Sequence, residues 1–137
     1  MGAHLRTTTA KLQGVHLLTV SGEVDLMVTG QFREALDKAV AGANSPLTID
    51  LSDVRYLDAA GFGALISAQR QMNDRPDKLY IVVSSPFIRR LFSVLGLEAF
   101  FDLYASVDEA VAAAVKGKSQ NLAPVPAGLA LTKARAS

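Results

Sequence analysis

The sequence predicts an α/β domain with a central mixed β-sheet and alternating helices, and three observations carry that prediction. Apolar runs of strand length recur at residues 15–20, 47–51 and 79–83. Between them lie stretches with helical spacing: Phe32, Ala35, Leu36, Ala39 and Val40 fall on one face, and Arg33, Glu34, Asp37 and Lys38 on the other. The run Leu79-Tyr80-Ile81-Val82-Val83 is apolar at every position, as in a strand covered on both faces. Strands alternating with helices build one sheet with helices packed on it.

Each element has a local cause. Residues 5–12 alternate loosely, and Thr7, Thr8 and Thr9 favour strand through β-branching. Gln13-Gly14 is a turn signal, so residues 15–20 should pair back as a hairpin. Gly22-Glu23-Val24-Asp25 interrupts that strand. The first helical stripe follows, with Gly42 as its expected stop. After Pro46 comes the strand at 47–51, ending at Ser52. A second helix runs from about Ala60 to Met72, with Ala64, Leu65, Ala68 and Met72 on one stripe, until 73–77 breaks it.

Ser85-Pro86 supplies a cap and a proline at the first helical position, where a missing N–H is harmless. Ile88, Leu91, Phe92 and Leu95 continue that helix, and Gly96 with Leu97 stops it. Residues 100–104 form a short last strand. Ser106-Val107-Asp108-Glu109 is a capping box opening a helix with Val107, Ala110, Val111, Ala114 and Val115 on one face. From Gly117 the period ends, and Pro124, Pro126 and Gly128 sit among small residues. The expected division is one domain over residues 1–116 and a disordered tail over 117–137.

Composition narrows the function. The 137 residues suit one domain. Three of the 14 basic residues and none of the 13 acids lie from Gly117 onward, which leaves residues 1–116 slightly acidic. That body lacks the basic footprint of a nucleic-acid binder. Cysteine is absent, which excludes disulfides, thiolate metal sites and cysteine catalysis. No uncharged run reaches membrane-spanning length, and the first ten residues hold no apolar core of signal-peptide length. A cytoplasmic protein without membrane insertion is the expectation.

The chemistry-bearing residues are few. Asp58, just before a helix, suits an N-cap, where its carboxylate accepts a free backbone amide. Asp25 has the same form. Asp50, within an apolar strand, is expected to anchor a loop amide. Ala59, Ala60, Gly61 and Gly63 make a small-residue turn, which lets a strand and helix approach closely or leaves a flat patch for a partner. His4 and His16 lie far apart, and Asp50, Asp53 and Asp58 match no cation-binding loop. Gly61-Phe62-Gly63 is too short for a dinucleotide fingerprint. No nucleophile, base and oxyanion donor converge, so no catalytic residue, metal or cofactor is expected.

Two segments, Val20-Ser21-Gly22-Glu23-Val24-Asp25 and residues 49–63, carry a resemblance over about residues 5–115. The first resembles the strand-ending Gly-Glu-Leu-Asp turn of the STAS domains of bacterial anti-sigma factor antagonists. The second is similar to that family's strand followed by an Asp-Ser-Ser-Gly turn, and the order of elements and the Pro86 helix match too. The resemblance implies a non-enzymatic regulator that binds an anti-sigma factor, a histidine-kinase-like serine kinase, and so frees a sigma factor. It implies a partner surface of Gly22, Glu23, Asp25, Asp58, Ala59, Ala60, Gly61 and Phe62. In the family the residue before the glycine is the serine that the kinase phosphorylates; here it is Ala60, which has no hydroxyl. Ser52 and Ser67 do not match that position. A second role that the resemblance allows is an accessory subunit of a membrane lipid-transport ATPase complex, where the serine is not required.

Overall fold

The structure, a computed structural model, describes the backbone of residues 5–121 and side chains through Gly117. Its order is β1 (Leu5–Leu12), β2 (Val15–Val24), α1 (Thr29–Gly42), β3 (Leu47–Leu57), α2 (Ala59–Asn73), β4 (Leu79–Val82), α3 (Pro86–Val94), β5 (Leu103–Tyr104) and α4 (Val107–Asn121). The strands form one sheet in the order β1-β2-β3-β4-β5. β1 runs antiparallel to β2, and the other pairs are parallel. This is the mixed sheet expected.

The β1–β2 hairpin closes on Gln13 (φ 51°) and Gly14 (φ 78°), with Leu12 opposite Val15. Two successive positive φ values match the right-handed twist of the paired strands, which is why such two-residue turns favour glycine. Helices α1 to α3 pack on one face, where Phe32, Leu36, Leu65 and Phe92 meet Leu18, Ile49 and Ile81. Helix α4 covers the other face through Ala110, Val111 and Ala114, against Val15, Tyr80 and Val82. β3 and β4 are thus covered on both sides, the reason residues 79–83 carry no polar alternation.

Four elements depart from the expected bounds. β2 runs on through Gly22 and Glu23, with Gly22 at φ 115°, a conformation open to glycine. β3 continues six residues past Leu51, because two bulges keep its apolar residues inward. Thr19 pairs with Asp50 but Ser21 with Asp53, and Gly22 pairs with Val54 but Glu23 with Tyr56. Each step adds one residue to β3 alone. The buried residues Leu51, Val54 and Leu57 therefore recur every third position instead of every second. Ser52 is consequently a strand residue, and Asp50 Oδ1 accepts its amide at 2.9 Å and its hydroxyl.

α4 extends four residues past Gly117, where its apolar period was expected to end. At Gly117 a Cβ would meet the Tyr80 hydroxyl at 2.7 Å, so the missing side chain admits the helix against β4. The rest of the expected tail, residues 122–137, and His4 lie outside the described residues. The last strand is only Leu103 and Tyr104; Phe100 and Phe101 instead stack edge to face at 5.0 Å, with Phe101 buried. In the capping box, Ser106 Oγ accepts the Glu109 amide at 3.2 Å, but Glu109 Oε1 reaches the Ala105 amide, one residue before the box position.

Candidate functional site

The acidic turns meet at the carboxyl ends of β2 and β3. Asp58 is the N-cap of α2: its Oδ1 accepts the Gly61 amide at 2.8 Å, and its carbonyl accepts the Phe62 amide at 3.0 Å. This satisfies one of the orphan donors of the helix and is worth about 1 kcal/mol. The Asp58 amide donates to the Val24 carbonyl at 3.0 Å, which ties the start of α2 to the end of β2. Gly61 allows that closeness, since a Cβ there would lie 2.6 Å from Leu57 Cδ1 and 3.0 Å from Val24 Cγ1.

Asp25, expected as a cap like Asp58, does not cap α1, whose N-cap is Val28 with no side-chain bond to it. Asp25 works on its own turn instead. Its Oδ1 accepts the Met27 amide at 3.0 Å, and its carbonyl accepts both the Val28 amide at 3.0 Å and the Thr29 hydroxyl at 2.7 Å. An aspartate that bonds the amide two residues on is an Asx turn. Val24 and Val28 are buried on either side, while Leu26 and Met27 between them are 86% and 81% exposed. No sequence signal marked these two as a site, because they precede the helical stripe of α1 and belong to no period.

The residues singled out from sequence fall into two layers. Glu23, Ala59 and Ala60 are exposed, Gly22, Asp25 and Asp58 are partly so, and these form a surface. Gly61 and Phe62 are buried beneath it. Phe62 packs edge to face on Phe92 at 4.9 Å, which braces the first turn of α2 against α3. Gly61 and Phe62 therefore lie under the exposed residues of this surface and not on it. Glu23 pairs with Arg55 at 3.6 Å, an exposed pair worth about 0–1 kcal/mol.

Ala60 presents only a methyl at the second position of α2. Ser67 lies two turns along α2, where its hydroxyl accepts from Gln71 at 3.3 Å. Among the described residues, no three His, Cys, Asp or Glu side chains gather where they could hold one ion. Clefts of about 680, 260 and 220 Å³ share no residue with the turns at Gly22, Asp25 and Asp58. What the site offers is a surface of fixed backbone and short side chains, geometry suited to docking a macromolecule.

Comparison with known proteins gives this geometry a context. A family model described as "Mlab, STAS domain" matches residues 8–105. The anti-sigma-F factor antagonist RsfB of Mycobacterium tuberculosis is 29% identical over 107 residues, covering 78% of this chain and 87% of that protein. The anti-sigma-B factor antagonist of Listeria monocytogenes is 30% identical over 84 residues, covering 61% of this chain and 74% of its own. The crystal structure of an anti-sigma factor antagonist from Mycobacterium paratuberculosis superposes with a TM-score of 0.76 at 29% identity, covering 81% of this chain and 94% of that one.

Proposed function

Because the chain belongs to the STAS domain family, we propose that it acts as an anti-sigma factor antagonist, binding an anti-sigma factor and so releasing a sigma factor for transcription. The observation that carries this is the family match over residues 8–105, joined to relatives of that name which align over most of the domain. The work is binding, and no covalent step is assigned to this chain. The docking surface consists of the β2 end at Gly22, Glu23 and Asp25 with the exposed start of α2 at Asp58, Ala59 and Ala60. Gly61 and Phe62 hold that start in place from below. The cytoplasm is the proposed site of action, and among the described residues no helix is long and apolar enough to cross a membrane.

The partner in this reading is a histidine-kinase-like serine kinase, and Ala60 stands where its phosphoryl acceptor would be. A phosphate would bring about −1.5 to −2 charges into a contact formed by neutral atoms. Without a hydroxyl the chain stays in its binding-competent state. Purified protein incubated with the anti-sigma factor and ATP should remain bound and unmodified by mass spectrometry. Ala60→Ser should gain phosphate if the kinase engages the surrounding turn, and Ala60→Glu should weaken binding while the domain stays folded. Stoichiometric phosphorylation of the wild type elsewhere, followed by release, would overturn the constitutive state. The missing hydroxyl also favours a second reading, an accessory subunit of a lipid-transport ATPase. Binding to the purified ATPase and to no anti-sigma factor would select it.

A further inference from the structure

We propose that Leu26 and Met27 form an apolar anchor that inserts into a pocket of the anti-sigma factor, with Asp25 as the positioning residue that holds the anchor out. The inference rests on the antagonist reading above and names the contact that reading lacks. Single exposed apolar residues are ordinary. Here two large ones stand side by side, 86% and 81% exposed, on a turn pinned by three hydrogen bonds to Asp25. A floppy loop could fold its apolar residues onto the body. This one cannot, because Val24 and Val28 root both ends in the core and the Asx turn fixes the backbone between them.

The position continues the docking surface. Val24, next to the turn, accepts the Asp58 amide at 3.0 Å and lies under Gly61, so the tip and the start of α2 are joined through shared backbone. An anchor already held in its bound shape loses little entropy on docking. Methionine adds a flexible, polarisable side chain that adapts to an imperfect pocket.

Charge selects the occupant. The two segments that meet here, residues 22–28 and 54–62, hold three carboxylates, Glu23, Asp25 and Asp58, and one cation, Arg55. A second copy docked by two-fold symmetry would set these acids against the same acids. A different protein with an apolar pocket and a basic rim meets both features.

The test is titration calorimetry of the full chain against each purified anti-sigma factor encoded in the genome that carries this gene. The double variant Leu26→Ser/Met27→Ser should weaken binding about 30-fold or more, the loss expected for a buried anchor pair, with an unchanged melting curve. Leu12→Ser removes an exposed leucine at the hairpin, the opposite end of β2, and should leave binding unchanged. Asp25→Asn keeps an oxygen that can accept the Met27 amide but gives up one carboxylate of the surface, so it should weaken binding less than Asp25→Ala, which loses both the charge and the hold on the turn.

Wild-type affinity in the double variant, with binding weakened by Ala60→Glu, would overturn the anchor and leave the antagonist reading standing. Loss in both variants supports the two together. Dimers in sedimentation equilibrium that vanish in the double variant would make the tip a self-contact and overturn the inference. Binding to none of the anti-sigma factors would remove the antagonist reading and the anchor with it.

Discussion

Replacing Gly61 by alanine isolates the contact that brings α2 up to the end of β2. The added Cβ would lie 2.6 Å from Leu57 Cδ1, 3.2 Å from Leu57 Cγ and 3.0 Å from Val24 Cγ1. Leu57 and Val24 are themselves buried, at 2% and 0% exposure, so neither has free space to retreat into. Overpacking of this kind costs about 1–3 kcal/mol. Alanine in a helix returns about 0.5–1 kcal/mol over glycine, which leaves a net loss of about 0–2.5 kcal/mol, centred near 1. Gly63, two residues along the same helix, has nothing within 4 Å of the place a Cβ would take, so Gly63→Ala should instead gain about 0.5–1 kcal/mol. Urea unfolding followed by circular dichroism reads both. At a slope of about 1–3 kcal/mol per molar urea, the two midpoints should move in opposite directions. Equal stabilisation of both variants would show that Leu57 yields without strain and that Gly61 is not needed for the close approach.

Two further outcomes follow from other contacts. Asp58→Ala removes the acceptor of the Gly61 amide and should cost about 1 kcal/mol in the same assay, with Asp58→Asn recovering most of it; an unchanged midpoint for alanine would mean that water replaces the cap. Burial first, then the charges of Tyr104, Asp102 and Asp77, raise the Tyr80 pKa above its ordinary 10.0, and burial then Asp102 raises that of Tyr104. Above about pH 10 the unfolded chain releases these protons before the folded one. Their contribution is therefore complete below the unfolded value and lost as pH rises through the folded values. Urea midpoints should fall across that alkaline window and fall less for Tyr80→Phe, whereas parallel curves would refute the assignment.

Periodic elements were legible in the sequence, and so were the caps of α2 and α3, though not that of α1. The stripes of α1 and α2, the buried run of β4 and the Ser85-Pro86 entry to α3 all follow from side-chain spacing, and Ser85 Oγ accepts the Ile88 amide as its position implied. The second half of β3 was not legible, because Leu51, Val54 and Leu57 fit neither a two-residue nor a 3.6-residue period. Only the pairing with β2 shows that bulges absorb the extra residues. At the site, Asp58 announced its capping role, and Gly61 announced close approach without naming Leu57 as what it approaches. Phe62 entered the expected partner surface through the family resemblance; the ring of Phe92 that it packs on lies far along the chain, on α3. Leu26 and Met27 belong to no repeating pattern, so their exposure emerges only from the fold.

The two bulges of β3 make the number of residues in that strand matter more than their identity at two places. Arg55 is exposed, and Ser52 bonds chiefly with its neighbour Asp50, so many side chains would be tolerated at either position. Removing one residue there would be another matter. The strand would slip by about 3.3 Å, and every later side chain would exchange faces up to Asp58, withdrawing the start of α2 from Val24. Composition can thus change at Ser52 and Arg55 while Val54 stays fixed in the core, whereas a change of length there would displace the site, a constraint on length written into a segment that looks, by composition, like an ordinary loop.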